Sequence, residues 1–208
     1  LSTRAHNTVR VDGHDQNRRL RYNRQAFDVA IPSDGAWRFT PHYNVAVSIY
    51  DEGYGPMGER IVKHERKVIL LKLAPGVGTL GPFVIVIDRL TPADNAGHTY
   101  QAIWHLYTES AQANGASVTS ADPDQPNLAI LSAGQNGLTV AIVAGQETPE
   151  WQGWKAIKNH QQGEYTPAPT ALVEWRASGP ARLVTVLYPT PTGKVCPIKS
   201  VTASPDAA

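Results

Sequence analysis

Between Tyr43 and Leu90 the chain places three short apolar runs rich in β-branched residues: Val45–Tyr50, Lys67–Leu73 and Phe83–Leu90. Each is bounded by glycine or proline, and none is long enough for a stable helix, so each reads as a strand. The pattern continues on both sides. Thr8–Asp12 alternates and stops at Gly13, Ala26–Ile31 and Trp37–Phe39 are further candidates, and His98–Tyr107 mixes aromatic and apolar residues. Asn127–Ser132 with Gly137–Ala144, and Thr170–Ser178 with Ala181–Tyr188, are expected to form two hairpins, the first turning at Asn136-Gly137. Ala111–Asp124 reads as loop and Gly145–Tyr165 as irregular. No segment carries a helical period with caps. The expected fold is all-β: an antiparallel β-sandwich of two packed sheets with more than about ten strands and little helix.

The length of 208 residues suits one large β domain or two small ones. We expect a sandwich over 1–190 and a fraying Pro/Thr/Ser-rich tail over 191–208. A formal net charge of +1 gives no reason to expect a nucleic-acid partner. The basic residues are uneven, however: Arg4, Arg10, Arg18, Arg19, Arg21 and Arg24 crowd the N-terminal part. They suit either an acidic ligand or a solvated basic edge strand. The single cysteine, Cys196, excludes an intrachain disulfide and a multi-cysteine metal site. No apolar run approaches membrane-spanning length, so no membrane partner is expected, and no signal peptide is visible. The chain opens at Leu1 almost inside a strand, and we expect further residues upstream.

Several side chains could carry chemistry. Tyr54 lies between Gly53 and Gly55, which lets the backbone turn tightly and is expected to expose the ring. A phenol near a cation can serve as acid or base, and a loop tyrosine capping the core edge is the plainer alternative. His64 opens HERKVILL and His6 opens HNTVRVDG. Two neutral imidazoles suit zinc, while a solvent-exposed strand end is the plainer reading of His64. Asn7, beside His6, can donate to a carboxylate. His98 and His105 flank one strand as core or edge histidines, and His14, His42 and His160 carry no local signal. Trp151 and Trp154 in EWQGWK offer ring faces for sugars, or cover an open end of the sandwich.

Five stretches taken in order carry a resemblance: HNTVRVDGHDQ at 6–16, SIYDEGYG at 48–55, HERKVILL at 64–71, FVIVIDRL at 83–90 and HTYQAIWHL at 98–106. Together they resemble the C-terminal β-sandwich domain of heparinase II/III-like polysaccharide lyases. The resemblance implies a partner (α/α) toroid upstream in the same protein, an acidic polysaccharide substrate, and cleavage of uronic-acid chains by β-elimination. It implies a periplasmic or secreted location. Because much of that machinery lies on the toroid, this chain alone is expected to be inactive. Tyr54 matches the sandwich tyrosine that lines the cleft in that family. His6 matches a cleft histidine or zinc ligand, and His64 matches the zinc ligand of an HxR motif. The third ligand in that family is an aspartate, for which Asp28, Asp34 and Asn44 are the nearest residues here. Arg4 stands where some relatives have a histidine, and an arginine there suits a sugar carboxylate or sulfate.

Three readings follow from these residues. One is the sandwich of a lyase, with Tyr54 and His6 catalytic and Arg4, Asn7, Trp151 and Trp154 on the substrate. The others are a non-catalytic acidic-glycan-binding module, and a structural sandwich in which His6 and His64 hold zinc.

Overall fold

The computed structural model describes residues 2–16, 35–55, 60–72, 80–134, 137–157 and 163–203. A single 3-10 turn, Thr3–Ala5, precedes the first strand, with the Ser2 side chain accepting from the Arg4 amide as its cap. The strands are β1 (Val9–Val11), β2 (Gly35–Phe39), β3 (Tyr43–Tyr50), β4 (Val62–Leu71), β5 (Phe83–Pro92), β6 (Gly97–His105) and β7 (Ala111–Asn114). They continue with β8 (Ser117–Ser120), β9 (Asn127–Gly134), β10 (Thr139–Val143), β11 (Trp154–Ala156), β12 (Tyr165–Pro167), β13 (Thr170–Ser178) and β14 (Ala181–Thr190). The strand candidate Ala26–Ile31 lies outside the described residues. No described helix is long and apolar enough to cross a membrane.

Two antiparallel sheets form the sandwich, as the alternation of short strands required. One has four strands in the order β1-β6-β13-β10, and the other eight in the order β2-β3-β4-β5-β14-β9-β8-β7. The core lies between them. Val9, Val11, Tyr100, Ala102, Val173 and Trp175 from the smaller sheet meet Val62, Val86, Leu90, Val118, Ile130 and Leu183 from the larger. Strand parity explains the selection, since alternate residues face opposite sides. On β9, Ile130 faces this core while Ala129 and Leu131 face away into a second cluster with Val186 and Tyr188.

Four expectations are corrected. Ala111–Asp124 contains the β7–β8 hairpin, whose short edge strands are polar because one flank of the sheet meets solvent. The two expected hairpins do not form: β9 and β14 lie in the large sheet, and β10 and β13 in the small one. The chain crosses between layers at both places, and β9 pairs instead with β14, β10 with β13. β4 begins at Val62 rather than Lys67, which puts His64 inside the strand. The tail does not simply fray: Cys196, Ile198 and Val201 pack on the second cluster and cover apolar surface on the outer face of the large sheet.

Candidate functional site

β4 and β5 build the centre of the site. Their ladder sets Arg66 opposite Asp88 and His64 opposite Leu90. Asp88 shares its parity with Val84, Val86 and Leu90, so a carboxylate points to the core face of the sandwich and is fully buried. A buried charge needs compensation, and three donors supply it. Arg66 Nε and Nη2 donate to the two oxygens at 2.6 and 3.0 Å, and His64 Nε2 donates at 2.6 Å. Burial pushes the Asp88 carboxyl up, but the His64 hydrogen bond and the Arg66 charge outweigh it and hold the group below the usual carboxylate range.

The carboxylate selects the His64 tautomer with its proton on Nε2, leaving Nδ1 to accept from the Tyr54 hydroxyl at 3.2 Å. Gly53 (φ 84°) and Gly55 (φ 83°) take left-handed conformations open to glycine, and they turn the chain so that Tyr54 enters the sandwich. The ring meets Tyr50 edge-on at 5.8 Å, and Gln16 bridges to the Tyr54 backbone. This corrects the expectation of an exposed ring: Tyr54 is 0% exposed. The glycines turn the loop inward, and the phenol is satisfied by a buried imidazole. Burial, the main cause, raises its pKa well above the usual tyrosine range, so the group is a neutral donor here.

Arg66 joins this buried chain to the surface. Its Nη1 donates to the Asn7 carbonyl, its guanidinium lies 5.5 Å from the Trp104 ring centroid, and its side chain is only 20% exposed. The Asn7 side-chain carbonyl accepts from the His105 amide at 2.8 Å, and His105 Nε2 donates to the Arg4 carbonyl at 2.8 Å. The 6–8 segment is therefore pinned from two directions. His6 is exposed on it, and its imidazole has no hydrogen bond or ion pair among the described residues. Tyr54 and His64 come together, and Asn7 with the backbone beside His6 is tied to them through Arg66.

The remaining candidates are placed differently. Arg4 ion-pairs with Glu150 (Nη1 to Oε2, 2.8 Å), and Gln152 donates to its carbonyl. Arg10 is buried and grips the same carboxylate at 3.0 and 3.2 Å, so it is neither a solvated edge residue nor open to a ligand. Arg18, Arg19, Arg21 and Arg24, with His160, lie outside the described residues. Trp151 and Trp154 stack on each other with centroids 5.3 Å apart and planes 4° apart, while Tyr165 meets Trp151 edge-on at 4.9 Å. The Trp154 indole donates to the Gln146 carbonyl. One face of each indole is thereby used within the cluster.

Zinc does not fit the described residues. Both His64 ring nitrogens are engaged, and no three histidine, cysteine, aspartate or glutamate side chains are grouped to hold an ion among the described residues. Asp28 and Asp34 lie outside those residues. Asn44 pairs with Leu70 while His64 pairs with Tyr50, so Asn44 sits about 20 Å along the ladder from His64.

The sequence reading missed Asp88 and Arg66. The signal was present: Asp88 interrupts FVIVIDRL at a core-facing position of the alternation, and such a residue demands a cationic partner across the ladder.

Residues 1–176 match a family profile described as Heparinase II/III-like, C-terminal. No curated protein matches the chain. Among solved structures, heparan sulfate lyase HepC from Pedobacter heparinus is similar with TM-score 0.64 and 16% identity, over 93% of this chain and 25% of that one. Heparinase III is similar with TM-score 0.62 and 15% identity, over 92% and 24%. A second heparinase III, the BT4657 gene product, has TM-score 0.61 and 13% identity, over 92% and 25%. The chain spans about a quarter of the length of these proteins.

Proposed function

The chain belongs to the Heparinase II/III-like C-terminal family, and from that membership we propose that it is the β-sandwich of a polysaccharide lyase acting on uronic-acid chains by β-elimination. The whole protein would join it to an (α/α) toroid and act outside the cytoplasm, on an acidic polysaccharide in a cleft shared by the two domains. In this reaction a base takes the C5 proton, the C4–O bond breaks, a double bond forms between C4 and C5, and an acid returns a proton to the leaving oxygen.

The observation that carries the reading is the pinned segment at 6–8. His6 presents an exposed imidazole, and the Asn7 carbonyl contacts to Arg66 and His105 fix its place. A positioned imidazole acting as a general acid or base contributes typically about 10²–10⁴-fold. With its Oδ1 held by His105, Asn7 keeps its amide N–H groups for a uronate carboxylate. Tyr54, His64, Asp88 and Arg66 act as positioning residues: buried, mutually satisfied, and connected to the segment through Arg66. Arg4 holds the 146–152 loop through Glu150 rather than standing ready for a sugar. No step is assigned to a metal.

The test uses the protein joined to its toroid, with heparan sulfate, heparin, chondroitin sulfate and alginate. Ultraviolet absorbance of unsaturated uronate should rise with at least one of them. Binding to these polymers with no absorbance change for any of them would instead favour a non-catalytic glycan-binding module.

A further inference from the structure

On the β2–β3 side of the large sheet inward-facing residues are exposed, and the register there describes a trough. Directly opposed residues share a face. One row runs Gly35–Ser48–Arg66–Asp88, the next Trp37–Ala46–Val68–Val86, and a third Phe39–Asn44–Leu70–Val84. These rows lie on the face that carries the buried carboxylate. Trp37 and Phe39 are 73% and 71% exposed, and Val68 is 37% exposed. Ala46 and Ser48 between them are small and exposed. The result is a floor of small residues, with two aromatic rings along one wall and Arg66 and Val68 along the other. The walls are two strands, or roughly 10 Å, apart, and the backbone positions of Trp37 and Phe39 are about 7 Å apart along β2.

We propose that this trough binds a stretch of acidic polysaccharide, with Trp37 and Phe39 stacking on pyranose rings. The inference rests on the lyase reading and extends it by giving the chain a path leading away from His6. Three observations select this occupant. The inward positions of β2, β3 and β4 carry no carboxylate, and Lys72, whose ammonium donates to the Thr40 carbonyl, puts a cation at one end of the trough. The one acidic group on the face, Asp88, is buried, ion-paired with Arg66 and hydrogen-bonded by His64. Finally, the trough is continuous with the segment at 6–8, since Arg66 both borders it and holds Asn7. Exposed aromatic faces with polar rims mark ligand grooves. Neither Trp37 nor Phe39 is buried in the core.

The test is calorimetric titration of this chain with alginate- and heparin-derived hexasaccharides, with the neutral hexamer cellohexaose as comparison. The Trp37→Ala/Phe39→Ala double variant should bind the acidic oligosaccharides about tenfold more weakly, the loss expected for two modest ring contacts. Trp37→Phe with Phe39→Tyr keeps both rings and should retain affinity, and Tyr107→Ala, an exposed ring elsewhere, should change nothing. Cellohexaose should bind more weakly than either acidic probe. Absence of binding by the wild-type chain, or unchanged affinity in the folded double variant, overturns the proposal. A double variant that alters only the oligomeric state makes the face a protein contact and overturns it too. Ring-dependent binding alongside a whole protein that yields no unsaturated uronate keeps the trough and removes the lyase reading. Turnover without ring-dependent binding does the reverse.

Discussion

Arg66 and Asp88 stand directly opposite each other on β4 and β5 and meet through two hydrogen bonds, 2.6 Å from Nε to Oδ1 and 3.0 Å from Nη2 to Oδ2. The carboxylate is fully buried, and His64 shares it. Asp88→Ala would strand a guanidinium that is largely removed from water and leave His64 Nε2 without its acceptor. Breaking a buried pair this way costs about 3–5 kcal/mol, to be read from urea unfolding of the chain. The pH dependence follows from the depressed folded-state pKa. The stability from this carboxylate is present above about pH 4, the unfolded-state value, and is lost as pH falls through the lower folded-state value. An acid-unfolding curve should therefore lose this contribution in Asp88→Ala and show it in the wild type.

His98 gives the opposite pH dependence. It is buried, with Asp12 at 2.7 Å from Nδ1 and Asp94 at 2.9 Å from Nε2. Both ring nitrogens can donate only in the imidazolium form. Burial opposes that charge, but the two carboxylates outweigh it and raise the pKa. The stabilisation is full below about pH 6.5 and is lost as pH rises through the raised folded-state value. Melting temperatures of the wild type and His98→Gln should differ most near about pH 6 and converge toward alkaline pH. A gap that widens with rising pH would be inconsistent with the bracketed imidazolium.

Tyr54→Phe separates a buried positioning role from an exposed catalytic one. The ring stays and only the hydroxyl on His64 Nδ1 is lost. One buried hydrogen bond is worth about 0.5–1.5 kcal/mol, so the isolated chain should melt at a measurably lower temperature. An exposed phenol would leave melting unchanged.

Much of this arrangement was legible in the sequence, and the failures have physical causes. The central strands, the turn at Gly53–Gly55 and the three residues His6, Tyr54 and His64 stand out because β-branched runs and glycine punctuation are local signals. Whether a turn-borne ring points out or in is not local: Tyr54 goes inward because His64 and Asp88, from two other segments, offer a polar partner inside the core. The strands β9 and β10, and β13 and β14, looked like hairpins because their turns are short. Layer crossing depends on which sheet has room, and no turn residue encodes that. Trp151 and Trp154 read either as sugar platforms or as a cover for an open end of the sandwich, and the sequence cannot show that they stack on each other. Trp37 and Phe39 stand out in the sequence only as a strand start, since whether an inward-facing ring is covered depends on the distant strands of the other sheet.

Gly153, between those tryptophans, has φ 78°, and a Cβ there would lie 2.5 Å from the Val143 carbonyl oxygen. The Gly153 carbonyl also accepts from the Gly145 and Ala168 amides, so the backbone cannot shift away without losing pairing. Gly153→Ala combines left-handed strain with a clash against backbone and should cost more than about 1 kcal/mol. Thermal unfolding of the variant checks this. Gly179→Ala, also at positive φ but with open space around the position, should cost less.

The most direct measurement compares His6→Ala with the wild type in the protein joined to its toroid, by unsaturated-uronate absorbance on the polysaccharide the wild type turns over. His6 is exposed and its imidazole makes no hydrogen bond among the described residues, so removing the ring should leave melting unchanged. As the acid–base group presented by the pinned segment, it should lower kcat by about 10²-fold or more. Turnover by His6→Ala within about twofold of the wild type would contradict the placement of the reaction at this end of the sandwich.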